Sequence, residues 1–480
     1  MKDKFYITTP IYYVNDIPHV GHAYTTIAAD VLARHYKTKG KDVYFLTGTD
    51  EHGAKIADAA EKAGKKPKEF VDELVPKFKK TWENLNIEYD EFFRTTDKEH
   101  EKIVQDFIEK LKKAGYIEKR EYKGLYCLAC ERYYMPDELA EGKCPFHGTE
   151  PVEQAEENYF FLLKKAAEDK KLYDEIKSEK RYRVRPETRK NEVLSKIEGG
   201  LEDVSISRAG VEWGVQFPGD AEQTVYVWVD ALINYYSATK IYKNPPAWPA
   251  DIHLMAKDIL WFHAIIWPAM LLAIGEEPPK EVFAHGFFTI DGKKMSKSLG
   301  NVLDPNVLVE KYGADAVRYA LLREFPFGED GDISEAKIAQ RYVSDLGNEL
   351  GNLLQRTLTM VGKYQVSINA SRKENIRDDV SMLVQGGIDV LVEKLEFDLA
   401  LTTIWKTVRY CNQLIETNKP WELAKTDPKE LAGLLQIITE YLYRIANAIQ
   451  PFMSETAEKM KKQLETKKPE PLFPRLENVD

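Results

Sequence analysis

The sequence predicts an α/β protein: a doubly wound parallel sheet, interrupted by an insertion and followed by a helical C-terminal part. Three observations carry this. Up to about residue 113, β-branched and aromatic runs alternate with helical stretches. Cysteine knuckles and a basic run then break the rhythm, and from about 349 onward apolar residues recur at three- and four-residue spacing. A chain of 480 residues is too long for one core, so several domains are expected.

In chain order, Phe5-Tyr6-Ile7-Thr8 reads as a short buried strand, and Asp16-Ile17-Pro18 carries cap and first-turn signals for a helix beginning near His19. Val43-Tyr44-Phe45-Leu46 is the next strand. The expected divisions are 1–113 and 225–287 for the two halves of the sheet domain, with 114–224 inserted between them. The second half is expected to resume with the strand-like Thr224-Val225-Tyr226-Val227-Trp228-Val229 and to continue with His253-Leu254-Met255-Ala256. Residues 288–348 read as a glycine-rich polar loop and a linking domain. Residues 349–480 read as a bundle, with periodic stretches from Ile388 to Trp405 and from Leu434 to Ile449.

Hydrophobic residues make up 43% and aromatics 11%, as in globular chains, and no run of about 18 apolar residues is present to span a membrane. Met1-Lys2-Asp3-Lys4 leads straight into a strand and leaves no room for a signal peptide, so a cytoplasmic location is expected. The net charge of −10 argues against non-specific nucleic-acid binding. It leaves room for a local basic patch such as Lys180-Arg181-Tyr182-Arg183-Val184-Arg185 with Arg189-Lys190, although a solvated face is the commoner meaning of such a run.

Three of the four cysteines fall in Cys127-Leu128-Ala129-Cys130 and Cys144-Pro145-Phe146-His147, a C-x2-C followed after thirteen residues by C-x2-H. Two knuckles at this spacing offer three thiolates and one imidazole. Cys127, Cys130, Cys144 and His147 would thus make a closed tetrahedral set for one structural zinc ion. A disulfide is the competing reading, and it does not suit a reducing compartment. Cys411, alone in a helical stretch, reads as a small buried hydrophobe.

Two short motifs point to phosphate chemistry. His19-Val20-Gly21-His22 is placed to open a helix, where unpaired N–H groups and the positive dipole end favour phosphate. His19 and His22 share a face, so both rings can donate to one phosphate chain, and Gly21 lets a flat purine approach the backbone. Lys294-Met295-Ser296-Lys297-Ser298 lies on the polar connection from Ile290 to Asn301. That connection reads as a mobile loop whose lysines swing onto a polyphosphate and neutralise charge developing as pyrophosphate leaves. Either motif alone has a bland reading, a chance helix start or a solvated lysine cluster; together they favour a nucleotide.

With these motifs the chain resembles the class I aminoacyl-tRNA synthetases, whose signatures are His-Ile-Gly-His and Lys-Met-Ser-Lys-Ser. The second matches letter for letter, and the first carries valine for isoleucine. Thr8-Thr9-Pro10-Ile11-Tyr12-Tyr13-Val14-Asn15, Leu46-Thr47-Gly48-Thr49-Asp50-Glu51-His52-Gly53 and Val225-Tyr226-Val227-Trp228-Val229-Asp230-Ala231 extend the likeness to the methionyl-tRNA synthetase family. It runs from about residue 4 to Phe473-Pro474-Arg475.

The resemblance implies a Rossmann-type catalytic domain with a zinc-binding insertion and a helical anticodon-binding bundle. It implies activation of L-methionine by ATP, with Mg2+ accompanying the nucleotide, to methionyl-adenylate and pyrophosphate. Transfer to the 3′ end of tRNA(Met) then releases AMP, for use in initiation and elongation. Its catalytic positions are His19, His22, Lys294 and Lys297, and ATP contacts add Gly21, Asp258 and Gly286. The methionine pocket it implies is Ile11, Tyr13, Trp228, Ala231, Leu232, Tyr235, Ile259 and His263, with Asp50 holding the amino group and Tyr13 and His263 offering polar contacts to sulfur. Leu232 stands where other relatives have proline. Asn352, Arg356, Pro420 and Trp421 correspond to readers of the CAU anticodon, a role that these residue types alone would not have revealed. The basic run near 180–190 is a candidate acceptor-stem contact. The stretch 114–224 is too short for the editing insertion of valyl- or leucyl-specific relatives. The chain stops near Asp480, without the appended dimerising domain of many relatives, so a monomer is expected.

Overall fold

The computed structural model describes residues 3–127, 132–134, 139–145, 148–295, 301–367 and 387–476. The chain divides into two compact units. The first comprises Met1–Ile17, Gly40–Lys80 and Tyr89–Ala284, the second Pro18–Lys39, Thr81–Glu88 and His285–Asp480.

A six-stranded sheet lies at the centre of the first unit, in the order Glu91–Arg94, Asp42–Asp50, Lys4–Tyr13, Ile252–Ala256, Glu281–His285, Arg183–Arg185. Lys4–Tyr13 runs parallel to both of its neighbours, Asp42–Asp50 parallel to Glu91–Arg94, and Glu281–His285 parallel to Arg183–Arg185. Parallel strands of this kind are covered on both faces, which is why Tyr6, Ile7, Phe45, Leu46, Leu254 and Val282 are all buried. The order grows outward from Lys4–Tyr13 in both directions, so the winding reverses between that strand and Ile252–Ala256. Open α/β sheets bind ligands beyond the carboxyl ends of their strands at such a point.

Two expectations for this unit change. The run from Thr224 to Val229 is not one strand of the main sheet. Gln223–Val225 pairs antiparallel with Ser207–Ala209, and Val227–Ile241 is a helix whose Val227, Val229, Ala231, Leu232, Ile233 and Tyr235 are buried. A continuous apolar run reads alike for a buried strand and for a helix buried all round, and only packing separates them. Arg183–Arg185, within the stretch expected as an insertion, forms an edge strand of the main sheet, where both arginines pair with Glu281. Arg181 pairs with Glu175, Arg189 with Glu192 and Lys190 with Glu179, so these cations of the basic run have carboxylate partners of their own. The remainder of the stretch builds a four-stranded antiparallel sheet, Arg132–Tyr134, Ile117–Cys127, Val152–Phe161 and Val204–Ser205.

The second unit starts with the 19-residue helix Val20–Thr38. Phe288–Ile290 and Lys293–Lys294 form a hairpin that turns at Asp291 and Gly292, with φ of 50° and 72°. Two consecutive left-handed residues make the tight hairpin turn for which Asp-Gly is suited. Lys294 therefore has its backbone on a paired strand rather than on a loop. The helices Glu335–Arg341, the π-helical Tyr342–Gly351 and Asn352–Lys363 follow one another without a break, and Phe397–Asn418, Pro428–Ile449 and Ser454–Thr466 complete the helical part. The periodic stretch from Ile388 to Trp405 is interrupted at Leu395, whose φ is 63°, and resumes at Phe397. Among the described residues no helix is long and apolar enough to cross a membrane.

Asp30 and Arg318, both fully buried, form an ion pair at 2.6 Å inside the second unit. Arg318 also donates to the carbonyls of Phe452 at 2.8 Å, Pro451 at 3.1 Å and Leu85 at 3.3 Å. Asp30 accepts from Arg34 at 2.8 Å and from the Glu88 N–H at 2.9 Å. Removing one partner leaves a charge buried without its counter-ion, which costs about 3–5 kcal/mol. Asp30→Asn is expected to lower the thermal midpoint by about 6 °C or more in scanning calorimetry. An unchanged midpoint would contradict that role.

Candidate active site

His19 is the N-cap of the helix Val20–Thr38. Its Nδ1 accepts the Gly21 N–H at 3.1 Å, and the Nδ1 of His22 accepts the His19 N–H at 3.3 Å, so two histidines perform the reciprocal capping usually done by Ser and Glu. With Nδ1 accepting, each neutral ring carries its proton on Nε2. The rings stack with centroids 3.8 Å apart and planes 20° apart. Burial lowers the His19 pKa to about 4, and burial together with the neighbouring His19 holds His22 well below the ordinary value. Near neutral pH both are uncharged N–H donors at a helix N-terminus, a suitable seat for a polyphosphate.

Gly21 has a reason for lacking a side chain: a Cβ there would lie 2.9 Å from Cε1 and 3.0 Å from Nδ1 of His19. It would also lie 3.4 Å from the Met295 Cε, and the Val20 N–H donates to the Leu303 carbonyl at 3.1 Å. The start of the helix thus meets both the second motif and the chain that leaves it. Ser296, Lys297 and Ser298 lie outside the described residues. Gly286 also needs to be glycine, because a Cβ would come within 2.2 Å of the Glu329 backbone. The His285 Nδ1–H donates to the Gly286 carbonyl at 2.7 Å, and its Nε2 accepts from the Thr25 hydroxyl at 2.7 Å, which ties Gly286 to the same helix.

The expected amino-acid pocket residues belong to the first unit. Ile11 and Tyr13 stand at the carboxyl end of Lys4–Tyr13, in register with Gly48 and Asp50. Asp50 is the last residue of its strand and only 2% exposed. Trp228 meets the edge of Tyr13, with centroids 6.0 Å apart, and stacks on Phe262 at 4.2 Å. Ala231, Leu232 and Tyr235 are buried on the Trp228 helix. Asp258, exposed, and Ile259 follow the strand Ile252–Ala256 in a single 3-10 turn, and His263 lies on the π-helical Phe262–Ile266. The Ile259 carbonyl, 3.0 Å from the His263 Nδ1, can only accept. His263 Nε2 therefore accepts from the Tyr235 hydroxyl at 2.8 Å. Burial lowers the His263 pKa to about 4. With both nitrogens engaged, His263 holds Tyr235 in place.

Sequence reasoning missed the buried cluster beside this pocket. The Asp230 carboxylate lies 2.7 Å from His52 Nδ1 and 2.9 Å from His100 Nε2, and His100 Nδ1 lies 2.8 Å from the Ser237 hydroxyl. Glu51, fully buried, is held by a two-pronged pair with Arg94 at 2.6 and 2.8 Å. The signal was available in the run Asp50-Glu51-His52 and in Asp230, charged residues within otherwise apolar strand and helix stretches.

Cys127 ends its strand and Cys144 sits in the turn closed by the Gly148 and Cys144 N–H groups. Both thiols are buried in one small cluster with Tyr134, flanked by Leu139. Cys130 and His147 lie outside the described residues, and among the described residues no three potential ligands cluster. Cys411 is buried, as expected. In the helical part Asn352 is exposed, Arg356 pairs with the exposed Glu416 at 2.8 Å, Pro420 is buried at the start of Pro420–Thr426, and Trp421 is 42% exposed.

A doubly wound sheet whose first strand leads into a histidine-capped helix, with Met295 of the second motif beside the start of that helix, defines a class I tRNA synthetase. A family model described as tRNA synthetases class I (M) matches residues 5–151 and 129–358. The methionine–tRNA ligase of Caldanaerobacter subterraneus subsp. tengcongensis is 47% identical over 479 residues, spanning 97% of this chain and 74% of the relative. That of Thermotoga maritima is 45% identical over 477 residues, spanning 95% and 74%. Mycobacterium tuberculosis methionyl-tRNA synthetase in complex with methionyl-adenylate superposes with a TM-score of 0.91 at 37% identity, over 98% of this chain and 100% of that one. The chain belongs to the methionine–tRNA ligase family.

Gly21→Ala is expected to push the His19 ring off its cap and to slow adenylate formation by about 100-fold, the size of effect that an ångström-scale misplacement produces, with methionine binding retained. Presteady-state adenylation and equilibrium dialysis of methionine would check this. Full adenylation in the variant would rule out the capped geometry as a requirement.

Proposed function

We propose that the chain activates L-methionine with ATP and charges tRNA(Met). The observation that carries the chemistry is the start of Val20–Thr38, where two uncharged histidine donors and a helix N-terminus lie beside Met295 of the second motif. In the first step a carboxylate oxygen of methionine attacks the α-phosphorus of ATP in line, the bond to the bridging oxygen breaks, and pyrophosphate leaves. His19 and His22 donate from Nε2, and Lys294 and Lys297 neutralise the charge that spreads over the departing phosphates; positioned donors and cations of this kind replace any covalent nucleophile. Mg2+ bound with ATP would shield its phosphate charge. In the second step the 2′-hydroxyl of the terminal tRNA ribose attacks the adenylate carbonyl and AMP leaves.

Asp50 receives the substrate ammonium, and Ile11, Tyr13, Trp228, Ala231, Leu232, Tyr235 and Ile259 enclose the thioether, since sulfur packs well against aromatic rings. Asp258 and Gly286 contact the ribose and adenine. Asn352, Arg356 and Trp421, with Pro420 as its rigid support, read the CAU anticodon, which as an unpaired loop calls for stacking and edge hydrogen bonds. Cys127, Cys130, Cys144 and His147 would hold one zinc ion, which would fasten the antiparallel insertion; two buried thiols already sharing a cluster, Cys127 and Cys144, suit a thiolate-rich structural site. The enzyme works in the cytoplasm.

Pyrophosphate exchange measured across the standard amino acids should respond to methionine above all others. Exchange with valine and not methionine, or none at all, would overturn the assignment. Elemental analysis of the purified chain should find about one zinc ion, lost in Cys144→Ser. A metal-free chain with the same resistance of the insertion to proteolysis would sink the zinc reading.

A further inference from the structure

Asp230 takes no part in the reaction described above, yet both of its carboxylate oxygens have buried partners. It is 1% exposed on the helix Val227–Ile241, and its two carboxylate oxygens are divided between His52, two residues past Asp50, and His100 on the helix Lys98–Lys113. His100 is fixed from its other side by Ser237, two turns further along the Asp230 helix, and stands edge-on to Phe93 with centroids 4.9 Å apart. His52 is fixed by the edge of Trp213 at 5.4 Å, while the Trp213 indole donates to the Glu51 carbonyl at 2.5 Å and the Trp213 carbonyl accepts the Gly53 N–H at 2.9 Å. Burial by itself would push the Asp230 carboxyl up, but the charge of His52 and the hydrogen bonds from the two histidines outweigh it and hold the group at about 2. His52 moves the other way, because the attraction of Asp230 outweighs the cost of its burial. A carboxylate and a histidine that stabilise one another's charged forms make a stiff link, since breaking it leaves charge in a dry interior.

The link joins two walls. On one side the strand Asp42–Asp50 delivers Asp50, and on the other the helix delivers Trp228, Leu232 and Tyr235. We infer that Asp230 is a positioning residue for amino-acid binding. Through His52 and His100 it sets the gap between the carboxylate that takes the substrate ammonium and the aromatic helix face that takes the side chain. This rests on the pocket reading above. It says further that the width of the pocket is fixed by a buried ionic link that touches no substrate atom.

Asp230→Asn keeps the shape and removes the charge. In methionine-dependent pyrophosphate exchange it is expected to raise the KM for methionine about tenfold or more, with the KM for ATP within about twofold of the parent, because only the amino-acid half is widened. A general structural role would lower the thermal midpoint and the active fraction and would leave this split absent. If Asp230→Asn does not fold by circular dichroism, His52→Gln breaks the same link and is read in the same way. A methionine KM that stays within about twofold, or that rises in step with the ATP KM, overturns the inference. Asp50→Asn, measured beside it, separates the two levels. If Asp50→Asn leaves the methionine KM unchanged, the pocket reading fails and takes this one with it; if only Asp230→Asn and His52→Gln are silent, the link alone is wrong.

Discussion

The buried carboxylate of Asp30 is the constraint on which the second unit depends. Two guanidinium groups and one backbone N–H converge on it, and the Arg318 fork reaches onward to the carbonyls of Leu85, Pro451 and Phe452. An ion pair of this kind contributes little net stability compared with well-packed apolar residues, since both charges are desolvated. What it supplies is direction. Arg34 shares the helix with Asp30, but Arg318 and the Glu88 N–H come from other segments, and both are met in only one rotation and one register of the helix Val20–Thr38. His22 stands two turns upstream of Asp30 on that helix, about 12 Å along its axis. The orientation of His19 and His22 is therefore tied to a buried charge about two turns away.

A second constraint recurs at the site itself. His19, His22, His263 and His285 each commit one ring nitrogen to a main-chain group, and burial keeps each below its ordinary pKa. The backbone thereby chooses the tautomer and the dry surroundings choose the charge, so each ring is a dipole of fixed direction that does not titrate near neutral pH. His52 is the exception. It alone among these faces a buried carboxylate, and its pKa moves up. The same residue type thus meets two environments, one that favours the neutral ring and one that favours its charged form, and the difference lies in what the second nitrogen or its neighbour meets.

Much of the fold was legible because its signals are local. The strand beginning near Phe5 and the helix opening at His19 follow from β-propensity and capping, and the structure places them where those preferences put them. The errors fell where two structures share one pattern. The apolar run from Thr224 to Val229 satisfies strand and buried helix equally, and Arg183–Arg185, read as part of an insertion, joins the main sheet through pairing with a strand almost a hundred residues away.

The sequence by itself determined the chemistry, because the motif residues act through groups carried within a few positions of one another: a histidine three residues from a histidine, and a glycine that must lack a Cβ between them. It also determined the family, through runs that extend over most of the chain. Only the tertiary structure decided which charged residues are machinery and which are frame. Asp30, Asp230, His100 and Arg318 have long-range partners between 58 and 288 positions distant, and desolvation, which gives a buried charge its strength and its cost, does not exist until the chain has closed around it.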